Sequence, residues 1–346
     1  MISKNPFAIH GAIHTEKEYQ KAIANKELLE SEFSASSLCN LDCPFCYTNA
    51  HQREKGYEAS LEEIDNFLGQ VSDAGAKTVR IVGLGEPFLD KRVYDQGKFP
   101  FLDLSKKHGL TTLIYTNGTQ INEEIATKLF EYDSSLVLKL YSFSPEVFEE
   151  MTGNKGFFTR ENQIPLVSGK YIPKSLQTLI DAGFNKTNPT RLGINTVVTP
   201  QNVNEIENLY QFARFNNLAT RFSGALIGQK EFGEEQVVNS EDLQSEYKKL
   251  VDWEKKFSGF FWEPLGEMMH SKCGRLGFDL ILDGDKFKAC CGAKDHLKDR
   301  DGNLITLSNS TIQEIVREHP LFDEFREARR NNQKLNCVMA RGQNEK

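Results

Sequence analysis

From about residue 28 to 225 the chain alternates short runs of apolar and β-branched residues with longer stretches whose apolar positions recur at helical spacing. That alternation is the signature of parallel β/α units. A first strand ends near Ser36. Ser60-Leu61-Glu62-Glu63 reads as a capping box, with Leu61, Ile64, Leu68 and Val71 at helical spacing and Gly75 as the stop. Three strands follow with helical stretches between them: TVRIVG from Thr78 to Gly83, TTLIY from Thr111 to Tyr115, and LVLKLY from Leu136 to Tyr141. A helix closing at Asp181-Ala182-Gly183 leads to a fifth strand, Arg191 to Val198, and a helix over 204–215 leads to a sixth, Ala219 to Ser223. The acidic, polar stretch from Gly228 to Asp242 reads as a boundary. Beyond it Leu243, Tyr247, Leu250, Val251 and Phe257 form an apolar stripe on a helix over 241–258. Residues 259–346 read as irregular, with a polar end.

Six such units predict an α/β fold, either a barrel or partial barrel or an open doubly wound sheet, and periodicity alone does not separate the two. In both, side chains that do chemistry gather at the C-terminal ends of the strands. The expected organisation is an N-terminal extension (1–27), a barrel (28–227), a linker with its helix (228–258) and a C-terminal unit (259–346). With 346 residues, 39% apolar and 26% charged, the composition is that of an ordinary globular protein. Forty-two Lys and Arg against 49 Asp and Glu leave a formal charge of -7, which argues against a general polyanion-binding surface and so against nucleic acid as a partner. No apolar run reaches the ~18 residues needed to span a bilayer. The polar N-terminus, Met1 to Glu32, lacks the features of an export signal. A cytoplasmic protein with no membrane partner is the expectation.

The cysteines narrow the picture. Seven occur: Cys39, Cys43 and Cys46 close together, then Cys273, Cys290, Cys291 and Cys337 in the last quarter. An odd number without an export signal is a poor disulfide framework, and clustered thiols in such a chain more often bind metal or do redox work. In Cys39-Asn40-Leu41-Asp42-Cys43-Pro44-Phe45-Cys46, thiolates at CxxxCxxC spacing can hold three corners of a four-iron cluster and leave one iron open. A structural zinc site ordinarily takes four ligands, and the nearest further candidate is His51. Gly83-Leu84-Gly85-Glu86-Pro87 follows the second strand; its glycines let backbone approach a ligand, and Glu86 can accept a hydrogen bond from an ammonium. Polar groups also close the third strand (Tyr115-Thr116-Asn117-Gly118) and the fourth (Lys139-Leu140-Tyr141-Ser142), and Asn195 lies in the fifth. Singly, these read as structural, Asn117-Gly118 being a good turn dipeptide.

On these residues the chain resembles the radical S-adenosylmethionine (radical SAM) enzymes. In that family CxxxCxΦC, with Φ aromatic and here Phe45, holds a 4Fe-4S cluster whose open iron is chelated by the amino and carboxylate groups of SAM. An electron from the cluster cleaves the sulfonium to a 5'-deoxyadenosyl radical. The resemblance implies a partial (β/α)6 TIM-type barrel with Cys39, Cys43 and Cys46 on the cluster. It implies Phe45, Gly85, Glu86, Thr116, Asn117, Lys139, Ser142 and Asn195 around SAM. Gly83 to Pro87 is similar to the family's GGE(P) segment, which contacts the SAM amino group, and departs from it at Leu84. Ser144 to Gly153 resembles the connection after the fourth strand. A flavodoxin or ferredoxin is implied as electron donor.

The later cysteines resemble the twitch or SPASM-type extension of these enzymes, where a cysteine, a glycine-containing hairpin and a further cysteine hold an auxiliary iron–sulfur cluster. Here those are Cys273, Phe278 to Gly284, and Cys290-Cys291. The closely spaced later cysteines of a full SPASM block are missing, so the implied form is a small C-terminal iron–sulfur domain of twitch type. Cys273, Cys290, Cys291 and Cys337 would hold its one cluster, the adjacent pair competing. Three ligands would leave an open iron for substrate, and four would suit electron relay; buried thiols without metal are the plain alternative. His270 and Phe260-Phe261-Trp262 read as structural. The expected reaction is hydrogen abstraction from a small metabolite (sugar, nucleoside or amino acid) or a peptide. The short stretch before the barrel, without room for a leader-binding domain, favours the metabolite. The rivals are a radical SAM RNA methyltransferase with Cys337 as methyl carrier, suggested by GLGEPFL, and a non-enzymatic zinc or iron–sulfur protein. Among Asp279, Asp283, Asp285 and the other carboxylates, none stands out as a general acid or base.

Overall fold

The computed structural model describes residues 5–46, 48–50, 56–154, 161–166, 169–224, 238, 240–258, 278–289 and 295–331. The chain runs through α1 (Glu16–Asn25), β1 (Glu30–Ala35), α2 (Leu61–Asp73), β2 (Thr78–Gly83), α3 (Pro100–Lys107), β3 (Thr111–Thr116), α4 (Glu123–Glu131) and β4 (Ser134–Lys139). Then come α5 (Pro145–Thr152), a hairpin of β5 (Gln163–Pro165) and β6 (Tyr171–Pro173), α6 (Lys174–Asp181), β7 (Leu192–Val198), α7 (Ile206–Phe215) and β8 (Ala219–Gly224). The last elements are α8 (Ser240–Phe257), β9 (Ile281–Asp283), β10 (Lys286–Lys288), α9 (Ile312–Glu318) and α10 (Pro320–Arg330). Among the described residues no helix is long and apolar enough to cross a membrane.

Eight strands make one sheet in the order β10-β9-β1-β2-β3-β4-β7-β8. β1, β2, β3, β4, β7 and β8 are parallel throughout, which gives the partial (β/α)6 barrel. β9 adds to β1 in parallel and β10 turns back on β9, so among the described residues β8 and β10 form the edges of the sheet. Side chains alternate between the two faces of each strand. Phe33, Ile81, Ile114, Leu138, Ile194 and Phe222 take the outer face and pack with helix residues such as Phe67, Leu68, Leu102, Leu129 and Leu209. Leu113, Val137 and Ala219 take the inner face, where they meet Ile9 of the N-terminal segment. That segment seals the N-terminal end of the barrel: Pro6 O accepts from Thr220 N at 2.9 Å, His10 O from Ser135 Oγ at 2.9 Å and Gly11 O from Thr78 Oγ1 at 2.5 Å.

Low in the barrel, Arg80 is fully buried on the inner face and meets three carboxylates. Its Nε lies 2.9 Å from Glu30 and its Nη2 lies 3.1 Å from Glu32 and also contacts Asp279, which precedes β9. His14 closes the cluster at 2.8 Å from Glu30.

Four stretches of the chain differ from the sequence reading. β4 begins and ends two residues before LVLKLY, because Ser134 and Ser135 are buried with their hydroxyls on Leu129 O and His10 O at 2.9 Å each, so no apolar side chain marks its start. The polar N-terminus carries α1, capped by Thr15 with Glu18 and burying only Ala22 and Ile23. The β5–β6 hairpin lies between two predicted elements. The stretch read as irregular holds the expected hairpin around Gly284, as β9 and β10, and also two unexpected helices, α9 and α10; Thr311 and Glu314 form a capping box, Pro320 occupies the first turn of α10, and Ile315, Phe322 and Phe325 are buried. Cys273, Cys290, Cys291, Cys337, His270, His51 and Phe260 to Trp262 lie outside the described residues.

Candidate active site

The CxxxCxxC loop leaves the end of β1 and is tied down on several sides. Ser36 N–H donates to Asp90 at 2.7 Å, Gly85 N–H to Ser36 O at 3.0 Å and Glu86 N–H to Leu38 O at 2.7 Å. Position 85 has to be glycine, since a Cβ there would sit 2.1 Å from Leu38 O. Asn40 accepts from Asn117 Nδ2 and donates to Thr119 Oγ1, both at 2.9 Å. Asp42 N–H donates to Thr152 O at 3.0 Å, and the same peptide lies so close to the end of α5 that a Cβ on Gly153 (φ +65) would be 2.2 Å from Asp42 O. Phe45 is buried with its ring edge-on to Tyr141 at 5.2 Å. These contacts fix the loop's path from sequence positions as far apart as 36 and 153.

Cys39, Cys43 and Cys46 lie in this loop as thiols outside any disulfide. Burial pushes the Cys39 thiol up to about 11, helped by the charges of Glu86 and Cys46. Burial likewise pushes Cys43 to about 12, with the charges of Cys46 and Cys39 adding to it. Cys39 and Cys43, held neutral in this way, carry thiolate charge only beside a strongly cationic partner, and bound iron is such a partner. Among the described residues no three His, Cys, Asp or Glu side chains converge on a single ion. A cubane takes one cysteine per iron, so three thiols serve three of its corners. The donor set therefore fits a 4Fe-4S cluster with one protein-free corner.

Glu86 is buried at 2% exposure. Its Oε1 accepts from Thr116 Oγ1 at 2.5 Å and Phe88 N–H at 3.2 Å, and its Oε2 from Asn117 N–H at 2.7 Å. Burial outweighs these bonds and raises its carboxyl to about 7. Since a carboxylate oxygen has two lone pairs, Oε2 keeps one for a further donor. Thr116 and Asn117 thus join Glu86 in one network that binds the end of β2 to the end of β3.

Lys139 and Asn195 are register partners on the inner face near the C-terminal rim. Burial lowers the Lys139 ammonium, while Cys43, Tyr115, Cys46 and Glu86 favour its charged form. Lys139 has no hydrogen bond or ion pair among the described residues. Ser142 is differently placed: its Oγ donates to Glu205 at 2.5 Å, and the other Glu205 oxygen accepts Phe143 N–H at 2.9 Å, so this hydroxyl braces the β4 loop. The sequence reading passed over Asn40, Thr119, Asp90 and Glu205, none of which sits in a spacing that signals chemistry. A cavity of about 140 Å³ adjoins the loop, lined by Ser34, Ser36 and Leu84 on one side and Asp283, Gly284 and His296 on the other.

The Radical SAM superfamily model matches residues 34–213, more than half of the chain. An uncharacterised protein of Methanocaldococcus jannaschii is 32% identical over 148 residues, which is 42% of this chain and 46% of that one, so the match spans less than half of the relative's length. Mycofactocin maturase MftC of Mycobacterium tuberculosis is 24% identical over 308 residues, 84% of this chain and 70% of its own. Among solved structures, Streptococcus suis SuiB bound to S-adenosylmethionine has the same fold at a TM-score of 0.62 and 17% identity, covering 91% of this chain and 74% of that one. The family match begins inside β1 and runs into α7, taking in the strands that carry the cysteine loop and its supports, and the chain therefore belongs to the radical SAM superfamily of enzymes.

Proposed function

We propose that Cys39, Cys43 and Cys46 hold the 4Fe-4S cluster that membership of this family implies, and that S-adenosylmethionine binds against it at the barrel rim. The observation that carries this reading is the three-thiol loop locked against the Glu86 network and facing an uncompensated Lys139. Reduced by a flavodoxin or ferredoxin, the cluster would supply the electron that splits the sulfonium and starts hydrogen abstraction. The remaining lone pair of Glu86 Oε2 accepts from the cosubstrate's ammonium, and Lys139 pairs with its carboxylate. Thr116 and Asn117 keep Glu86 aimed, Gly85 lets backbone come close, Asn195 offers its amide, and Phe45 and Ser142 hold their loops in place. Loops at the barrel rim would keep water from the radical.

The hydrogen donor is a peptide or a small metabolite. A peptide is supported by the names of relatives: MftC is a maturase, and SuiB has also been solved with its precursor peptide SuiA. We further assign Cys273, Cys290, Cys291 and Cys337 to an auxiliary cluster in a unit that begins near residue 259. Anaerobic reconstitution with iron and sulfide counting tests both assignments. The outcome expected is two clusters per chain and formation of 5'-deoxyadenosine under reducing conditions, abolished in C39A, C43A and C46A. One cluster per chain would favour an RNA methyltransferase with Cys337 as carrier, and zinc without iron would overturn the enzyme reading altogether.

A further inference from the structure

We infer that Arg221 of β8 anchors an oxyanion group, a carboxylate or a phosphate, on the molecule that gives up its hydrogen atom. This rests on the cosubstrate reading above and adds the substrate's chemistry to it.

Lys139, Asn195 and Arg221 form one register row across β4, β7 and β8. The row belongs to the inner face. Two residues before Arg221, Ala219 meets Ile9, Leu113 and Val137 inside the barrel, while Phe222, of opposite parity, packs on Tyr210 of α7. Neighbouring strands are about 4.8 Å apart, so Arg221 stands roughly 10 Å across the row from Lys139. Among the described residues β8 is also an edge of the sheet, which puts Arg221 at the side of the partial barrel.

Four acids among the described residues near the rim are already engaged. Glu86 holds Thr116 and Asn117, Glu205 holds Ser142 and the Phe143 amide, and Asp90 holds Arg92. Asp283 faces Lys288 at 2.7 Å and His296 at 3.2 Å. Arg221 donates one hydrogen bond, from Nη1 to Thr220 O at 3.2 Å, and among the described residues no carboxylate pairs with it. Its guanidinium has five donors, so most remain for a ligand. In a chain of net charge -7 an inner-face arginine with no carboxylate partner among the described residues is no by-product of basic composition. A planar fork of this kind matches a two- or three-oxygen anion. Lys139 is coupled to Cys43, Cys46 and Glu86 and so serves the cosubstrate end. Arg221 lies two strands further along, at a span that seats a second anion without crowding the first.

The test uses cluster-reconstituted, SAM-loaded protein as wild type, R221Q and R221K, with radiolabelled inorganic phosphate and acetate as separate probes in equilibrium dialysis. At least one anion is expected to bind wild type saturably, to bind R221Q about tenfold or more weakly, and to keep part of its affinity in R221K. Which anion binds tells a phosphorylated substrate from a carboxylic acid. Absence of saturable binding by wild type, or equal binding by wild type and R221Q, overturns the inference. So does a parallel loss of SAM affinity in R221Q, which would move Arg221 to the cosubstrate. Failure of wild type to bind SAM at all would instead strike the cosubstrate reading, and the two failures are read separately. Should R221Q not fold, R221K against wild type gives the same comparison.

Discussion

At the residue scale, Glu86 shows how one position serves both structure and chemistry. Its carboxyl is raised by burial to about 7 in the folded chain from an ordinary value near 4.5. The folded state therefore holds this proton over a pH range in which the unfolded chain has released it, and Glu86's contribution to stability is present below about 4.5 and lost as pH rises through about 7. Cluster-free protein unfolded by urea at pH 5 and pH 8 should be less stable at pH 8, and E86Q should lose most of that difference; an unchanged slope in E86Q would show that Glu86 is ionised throughout. The cysteines and Glu86 were legible in the sequence because ligand spacing and a glycine-flanked acid are local signals. Asn40, Thr119, Glu205 and Arg221 were not. Asn40 finds Asn117 and Ser142 finds Glu205 across long stretches of chain, and the solitary role of Arg221 depends on which acids are engaged elsewhere.

At the element scale, strands reveal themselves when one face is apolar, which is why β2, β3, β7 and β8 emerge from the pattern at nearly their observed limits. β4 starts on two serines whose burial is balanced by hydroxyl hydrogen bonds, and pattern reading misses such a start. α10 hides for a different reason: charged side chains surround its apolar positions, and even Arg326 is buried beside Phe322, Phe325 and Ala328. The end of α5 matters most for the site, because Gly153 adopts a left-handed φ of +65 directly against Asp42. Gly153→Ala combines a strained backbone, costing about 1 kcal/mol or more, with a clash against backbone that cannot rotate away. A lower melting temperature and poorer iron retention after desalting are expected together. Loss of stability with full iron retention would show that the loop tolerates displacement.

At the scale of the whole molecule, Arg80 joins β1, β2 and the residue that leads into β9. It thereby links the barrel to the segment running on toward Cys290 and Cys291. Arg80→Met would strand three buried carboxylates, and a loss of about 3–5 kcal/mol in urea unfolding is expected. A loss below about 1 kcal/mol would mean that the carboxylates find water or take up protons instead. Nothing in the sequence pattern signals this link, since Arg80 sits in an otherwise apolar strand and Asp279 lies 199 residues away.

The stitching of Pro6 to Gly11 across the bottom of the strands turns the barrel into a blind alley. On the reading proposed above, a cosubstrate seated at the rim would enter and leave on the side of the cysteine loop, away from these N-terminal ties.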